Sequence, residues 1–213
     1  MNSGKPLFLR IILAAPVIGV MVFGGVAAYE AMSSNARITE MQSNVVEASE
    51  TADRLLSNMS VEHPGEWIAA ATAISSASPQ NDARSVDLLE RALAVAPDDA
   101  SAWALLSFLH ARQSGSFTPA AENALRESNA RCPLCNKALL QWRLTFTLQH
   151  WDQAPEDVRM SAFNGADFLR WWYSDHDYLR EVGRSARAQG IPFDEYRRKV
   201  NTKVRPNEIP QAN

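Results

Sequence analysis

Glycine is scarce, 9 in 213 residues, and Val, Ile and Thr are not concentrated anywhere beyond the first 30 positions. A Rossmann sheet, a P-loop domain and a β-sandwich all need one or both. Helix is therefore the expected element. Two cysteines cannot staple a small scaffold, and four scattered histidines with no second Cys-x-x-Cys pair leave no zinc site. Charge of one sign is lacking as well: 21 basic against 24 acidic side chains give −3, too balanced for a domain-wide field that would hold nucleic acid. No Ser, His and Asp set stands in a recognisable motif, so no catalytic residue, metal or cofactor is assigned. What is present, 46% hydrophobic and 21% charged residues, suits one modest globular domain and excludes a disordered or multi-span chain.

The N-terminal segment, residues 1–32, carries the sharpest local pattern. Ile11 to Tyr29 is 19 residues without Asp, Glu, Lys or Arg. At about 1.5 Å per residue that length crosses a bilayer core of about 30 Å. Lys5 and Arg10 precede it and Glu30 follows, so the positive-inside rule predicts a short cytoplasmic stub, a single-pass signal-anchor helix and a C-terminal domain on the outer side of the membrane. Val26-Ala27-Ala28 also resembles a signal-peptidase site, so a cleaved leader is the competing reading. Gly24 and Ala28 form a small-x-x-x-small pair through which a second membrane helix could approach.

Residues 33–63 follow. Ile38, Met41, Val45, Ala48, Ala52, Leu55 and Met59 recur at steps of 3 and 4, the heptad spacing. Two outcomes fit. The helix pairs with a second copy as a coiled coil, giving self-association through residues 11–59, or it lies on its own domain.

Residues 64–200 read as helical hairpins of similar length. Helix pairs are predicted at 66–78 with 85–96, 100–113 with 119–130, and 134–150 with 156–172. Pro97 and Pro133 close two of the second helices 36 residues apart, near the 34-residue period of tetratricopeptide repeats. With Ala92, Trp103, Leu106 and Ser107 in the expected slots, then Ala121, Leu125 and Phe146, the region resembles that family. The fold class expected is all-α, a transmembrane helix followed by a solenoid of this kind. The resemblance implies a groove formed by the first helices, with Trp103, Ser107, His110, Trp142 and Phe146 as binding candidates.

Ala124-Leu125-Arg126-Glu127-Ser128, Pro133, the run Trp142 to Asp152 and Arg159 further resemble bacterial inner-membrane accessory proteins of O-antigen ligase and Wzy-type polymerase systems. That likeness implies a non-catalytic scaffold in the cell envelope assisting surface-polysaccharide polymerisation or export. It also implies the location, a bacterial inner membrane with the C-terminal domain in the periplasm, and the partner would be an inner-membrane protein of the same pathway.

Cys132-Pro133-Leu134-Cys135 is the one local pattern with chemical content. If a helix starts at Leu134, Cys132 sits by its positive end, where thiol pKa falls. With Arg131 ahead of it the motif resembles cytochrome c maturation thiol proteins, which implies the alternative function, a periplasmic thiol–disulfide protein. The other reading is a local disulfide in a repeat-closing turn.

Asp175-His176-Asp177 invites an acid/base reading but is also an ordinary helix start, which predicts capping. Trp171-Trp172-Tyr173 cannot all face one core, because helix neighbours diverge by about 100°. At least one ring must be exposed or cover a partner. Residues 180–205 hold eight basic and three acidic side chains, against nine and thirteen over residues 33–150. Arg180, Arg184 and Arg187 share one helix face, either solvated or a dock for lipid head groups or an anionic saccharide. Residues 201–213, with Pro206 and Pro210 and little apolar content, read as a disordered tail.

Overall fold

The computed structural model describes residues 45–57 and 63–201, in which nine α-helices and one 3-10 turn are the only regular elements. They are α1 (Val45–Ser57), α2 (Pro64–Ala77), the 3-10 turn Pro79–Asn81, α3 (Asp82–Val95), α4 (Ala100–Ser114), α5 (Pro119–Arg131), α6 (Lys137–Gln149), α7 (Glu156–Trp171), α8 (His176–Ala188) and α9 (Phe193–Asn201). α2 packs with α3, α4 with α5 and α6 with α7 as antiparallel hairpins, and each hairpin touches the next. Among the described residues no helix is long and apolar enough to cross a membrane. The apolar run 11–29, the heptad positions Ile38, Met41 and Met59, and the tail after residue 201 lie outside the described residues.

Local chemistry accounts for the boundaries. Asp99 accepts hydrogen bonds from the amides of Ser101 and Ala102, both at 2.9 Å, and so starts α4. Thr118 accepts from Ala121 N at 3.2 Å with Pro119 as the first helical residue of α5. Asn136 does the same for α6 through Leu139 N at 2.9 Å. Each satisfies amides that a helix leaves unbonded at its start. Gly115 ends α4 in the left-handed region at φ 66°, where a side chain would be strained. Pro97 and Pro133 each follow a C-cap residue, Ala96 and Cys132, so they stop α3 and α5 in the same way.

The predicted pairs match these helices to within about three residues, with one consequential exception. α6 begins at Lys137 rather than Leu134, because Asn136 is the residue able to cap it.

Burial falls into two main cores. Around the first hairpin, Trp67, Ile74, Leu88, Leu89 and Leu109 are sealed from solvent, and α2 contributes Ala69, Ala70, Ala71 and Ala73, small enough for neighbouring helices to approach closely. α1 lies against α2 and α3: Ala52 is fully buried, Leu55 and Leu56 pack on the core, and Arg84 of α3 holds Asp53 at 2.5 Å and the Ser49 carbonyl at 3.1 Å. This segment of the heptad series thus rests on its own domain.

The second core joins α6 through α9 around Leu140, Leu144, Phe163, Leu169, Leu179, Phe193 and Tyr196. α8 and α9 meet closely at Gly183, where an added Cβ would stand 2.9 Å from the Phe193 ring. A smaller aromatic core of Phe117, Leu125, Phe146 and Val158 sits between the two.

Candidate interaction site

An apolar hollow of about 280 Å³ opens between α4 and α6, the first helices of consecutive hairpins. Ser101, Ala104, Leu105 and Phe108 line it from α4, at the i, i+3, i+4, i+7 spacing of one helical face, and Leu139 and Trp142 line it from α6. Its walls are held from behind. Trp142 stacks on Phe146 with centroids 4.7 Å apart, and Phe146 meets Phe108, Phe117 and His150 edge-on at 6.4, 5.9 and 4.8 Å. Over Phe108, 4.8 Å from its centroid, lies the Arg112 guanidinium. Arg112 is itself fixed by the buried Asp82 carboxylate and by the Ser75 carbonyl at 2.9 Å. An arginine held at both ends loses little further entropy when the ring beneath it is covered.

The structure divides the predicted groove. Ser107 is fully buried and donates to the Ala121 carbonyl at 2.7 Å, tying α4 to α5, so it is closed to a partner. Trp103 points to the opposite side of α4 from Leu105. It lines a separate hollow of about 290 Å³ with Glu90, Leu93, Ala94, Leu106, Ala120, Asn123 and Ala124, and its Nε1 donates to Pro97 O at 2.8 Å. His110, seven residues on, shares that side of α4 and is half-buried. Phe146 is 3% exposed and supports Trp142 from within rather than meeting solvent. Of the five groove candidates, Trp142 alone lines the apolar hollow. Leu105, Phe108 and Leu139 were missed, although the 101, 104, 105, 108 stripe was readable as a second apolar face beside the Ala102, Leu106, Leu109 core stripe.

The joint between α5 and α6 carries the cysteines. Cys132 and Cys135 are disulfide-bonded, both half-buried against Ala100, Ala104, Leu139 and Trp142. Because α6 starts at Lys137, Cys132 is the C-cap of α5, at the negative end of a helix. That position disfavours a thiolate, which reverses the polarity expected of Cys132.

Beside it, Arg143 is 2% exposed and has no carboxylate partner among the described residues. Its guanidinium donates to Cys132 O at 2.8 Å, to Ser128 Oγ at 2.8 Å and to the Ser128 carbonyl. Loss of hydration pushes its pKa down to about 10, still high enough to keep the charge at neutral pH. Tyr173 closes the joint from the other side, its hydroxyl donating to Cys135 O at 3.2 Å.

Asp175 does not cap α8 with its side chain. It is 10% exposed and reaches α6, pairing with Lys137 Nζ at 3.0 Å and accepting from Gln141 Nε2 at 2.5 Å. Asp177 pairs instead with Arg180 at 3.0 Å and His176 is exposed, so the Asp-His-Asp run does not converge on one point. Beneath it, Tyr178 donates to Gln141 O at 2.7 Å, and burial raises the pKa of its hydroxyl.

On the basic face, Arg187 pairs with Asp194 at 3.0 Å, leaving Arg184 without an ion pair among the described residues. Two of the three charges are thus neutralised on site. Trp171 and Trp172 are 48% and 63% exposed, while Tyr173 is half-buried. Phe168 stacks on Trp172 at 5.7 Å and meets Trp171 edge-on. Among the described residues no group of three His, Cys, Asp or Glu side chains could hold a metal ion.

No protein-family model, curated protein or solved structure matches this chain.

Proposed function

We propose that the protein is a non-catalytic, membrane-anchored interaction scaffold of the cell envelope, a tetratricopeptide-like array whose α4–α6 hollow receives an apolar side chain of a partner. The observation that carries this reading is the hollow itself: a preformed apolar recess, lined from two successive hairpins, whose aromatic wall is braced by the half-buried Arg112 on the buried Asp82. A recess of that size accepts one large aliphatic or aromatic anchor, and interfaces concentrate their energy at such points. The apolar run 11–29 supplies the membrane address, with the helical domain on the periplasmic side. On the resemblance noted above, the partner is an inner-membrane protein of a surface-polysaccharide pathway. Confinement to one membrane raises the effective concentration of the two chains, so a modest contact at the hollow suffices.

The test is a photocrosslinking side chain placed at Leu105 or, as control, at Trp103 in intact cells. An adduct with a polysaccharide polymerase or ligase from position 105 and none from 103, lost on Phe108→Glu, is the expected result. Equal capture from both positions, or adducts insensitive to Phe108→Glu, removes the hollow as the contact. Protease treatment of spheroplasts checks the topology independently: the domain is digested if periplasmic and protected if cytoplasmic.

A further inference from the structure

A third hollow, polar where the one between α4 and α6 is apolar, lies where two helices end together. The last residues of α6 and the turn after it (Leu148 to Gln153) face the α8–α9 turn (Gln189, Gly190, Ile191) across a space of about 240 Å³. No Lys or Arg lines it. Helix carboxyl ends carry partial negative charge, and two of them meet here, with Asp152, Gln149 and Gln189 among the lining residues.

Asp152 has neither an ion pair nor a hydrogen bond among the described residues, and a carboxylate just beyond a helix C-terminus is an unfavourable placement with nothing here to offset it. The carbonyls of Leu148, Gln149 and Gln189 likewise accept no hydrogen bond among the described residues, whereas those of His150, Ala186 and Arg187 are taken by turn amides and that of Trp151 by the Arg159 guanidinium at 2.6 Å. The apolar part of a mainly polar lining comes from Leu148 and Ile191, at 7% and 6% exposure, and from the half-buried Trp151, whose ring carries the Arg159 guanidinium 4.4 Å from its centroid. Gly190, at φ 76°, adds no side chain to the opening.

Three unpaired carbonyls and one unpaired carboxylate beside the aliphatic Leu148 and Ile191 match a primary ammonium on an alkyl stem. A single carboxylate is too few for a divalent metal, which needs several hard oxygen ligands. A guanidinium is the poorer fit, since its planar fork is matched by a bidentate carboxylate, whereas a compact ammonium with three rotatable donors suits scattered carbonyls. From this arrangement we infer that the hollow between the α6 and α8 carboxyl ends is a binding site for a lysine side chain of a partner chain, with Asp152 as its counter-ion. This contact is separate from the apolar hollow at α4 and α6 and does not depend on it.

The full chain, labelled with ¹⁵N, is titrated with Nα-acetyl-lysine N-methylamide, with the norleucine and arginine counterparts as controls. The expected result is a saturable shift confined to the Asp152 and Gly190 amides and the Trp151 indole, absent with norleucine and weaker with arginine. Asp152→Asn should weaken lysine binding about tenfold, roughly one charge-assisted hydrogen bond. Asp152 is exposed, so the variant keeps its fold, which an otherwise unchanged spectrum verifies. No saturable shift, equal shifts with norleucine, tighter binding of arginine, or undiminished binding by Asp152→Asn each overturns the assignment.

Discussion

Arg143 of α6 and Ser128 of α5 bind each other through both backbone and side chain: the guanidinium reaches the Ser128 hydroxyl and its carbonyl, while the hydroxyl donates to Ala100 O of α4 at 2.5 Å. One buried arginine thereby links three helices and caps the carbonyl end of α5 in place of a carboxylate partner. Charge at that end is favourable, because the helix dipole presents its negative pole there. Arg143→Ala removes one of the two donors to the Ser128 carbonyl, which keeps the Cys132 amide at 3.4 Å, removes the donor to the Cys132 carbonyl and leaves a cavity. It is expected to lower stability by about 2–4 kcal/mol, while Ser128→Ala is expected to cost about 1–2 kcal/mol. Urea unfolding of both single variants and the double measures the coupling. Additive losses would contradict a shared network.

Gly183 and Gly165 should respond oppositely to alanine. At Gly183 the new methyl meets the Phe193 ring at 2.9 and 3.1 Å, a fully buried group with no room to retreat, and overpacking of about 1–3 kcal/mol exceeds the helix-propensity gain of about 1 kcal/mol. At Gly165 the nearest atom is the Leu140 Cδ2 methyl at 3.1 Å, the end of a flexible side chain, so the variant is expected to be neutral or slightly stabilising. Thermal melts of the two variants decide this. A more stable Gly183→Ala would mean that α9 can shift away.

His150 is packed between Phe117 and Phe146, and burial lowers its pKa below 6.5. A base with a depressed folded pKa binds fewer protons folded than unfolded, so it costs nothing above about pH 6.5 and destabilises as pH falls through the folded value. The melting temperature should therefore drop more between about pH 7 and pH 5 in the native chain than in His150→Phe, which keeps the ring stack without the proton. Parallel pH dependence in the two proteins would remove His150 as the cause.

The Cys132–Cys135 bridge closes a very short loop in a joint already held by Arg143 and Tyr173. Replacing both cysteines by serine should cost at most about 2 kcal/mol, on the chain-entropy relation for a loop of that length. Complementation of a deletion strain should persist. Complete loss of activity with a folded domain would favour the thiol–disulfide reading despite the position of Cys132 at a helix carboxyl end.

Trp67 and Trp172 are the same residue type with opposite standing, at 1% and 63% exposure. Trp67→Ala is expected to cost about 3–5 kcal/mol, and Trp172→Ala well under about 1 kcal/mol. Denaturation of the isolated variants measures both.

Much of the helical framework was legible along the chain, because its signals act within one turn: Asp99, Thr118 and Asn136 as caps, Pro97 and Pro133 as stops, and apolar spacing near 3.6 residues in between. Where two local signals competed, the stronger cap won, and Asn136 displaced the predicted start at Leu134. That shift of three residues changed the chemistry of Cys132, since a cysteine after one helix and a cysteine before the next feel opposite dipoles.

The site was less legible. Trp103 and Trp142 occupy similar places in a repeat reading, yet one tucks toward α3 and α5 while the other walls the hollow between α4 and α6. Periodicity specifies which residues share a face of one helix. It does not specify which neighbour that face meets, and that is decided by the angle at which whole hairpins stack. The buried Arg143, the α6-directed Asp175 and the meeting of two helix ends around Asp152 depend on partners 11 to 38 residues away in the chain. Helix starts and stops are written along the chain, because capping and period act locally. Which side chains face each other and which stay unpaired follows from the packing of the hairpins, because burial and desolvation depend on elements that folding brings together.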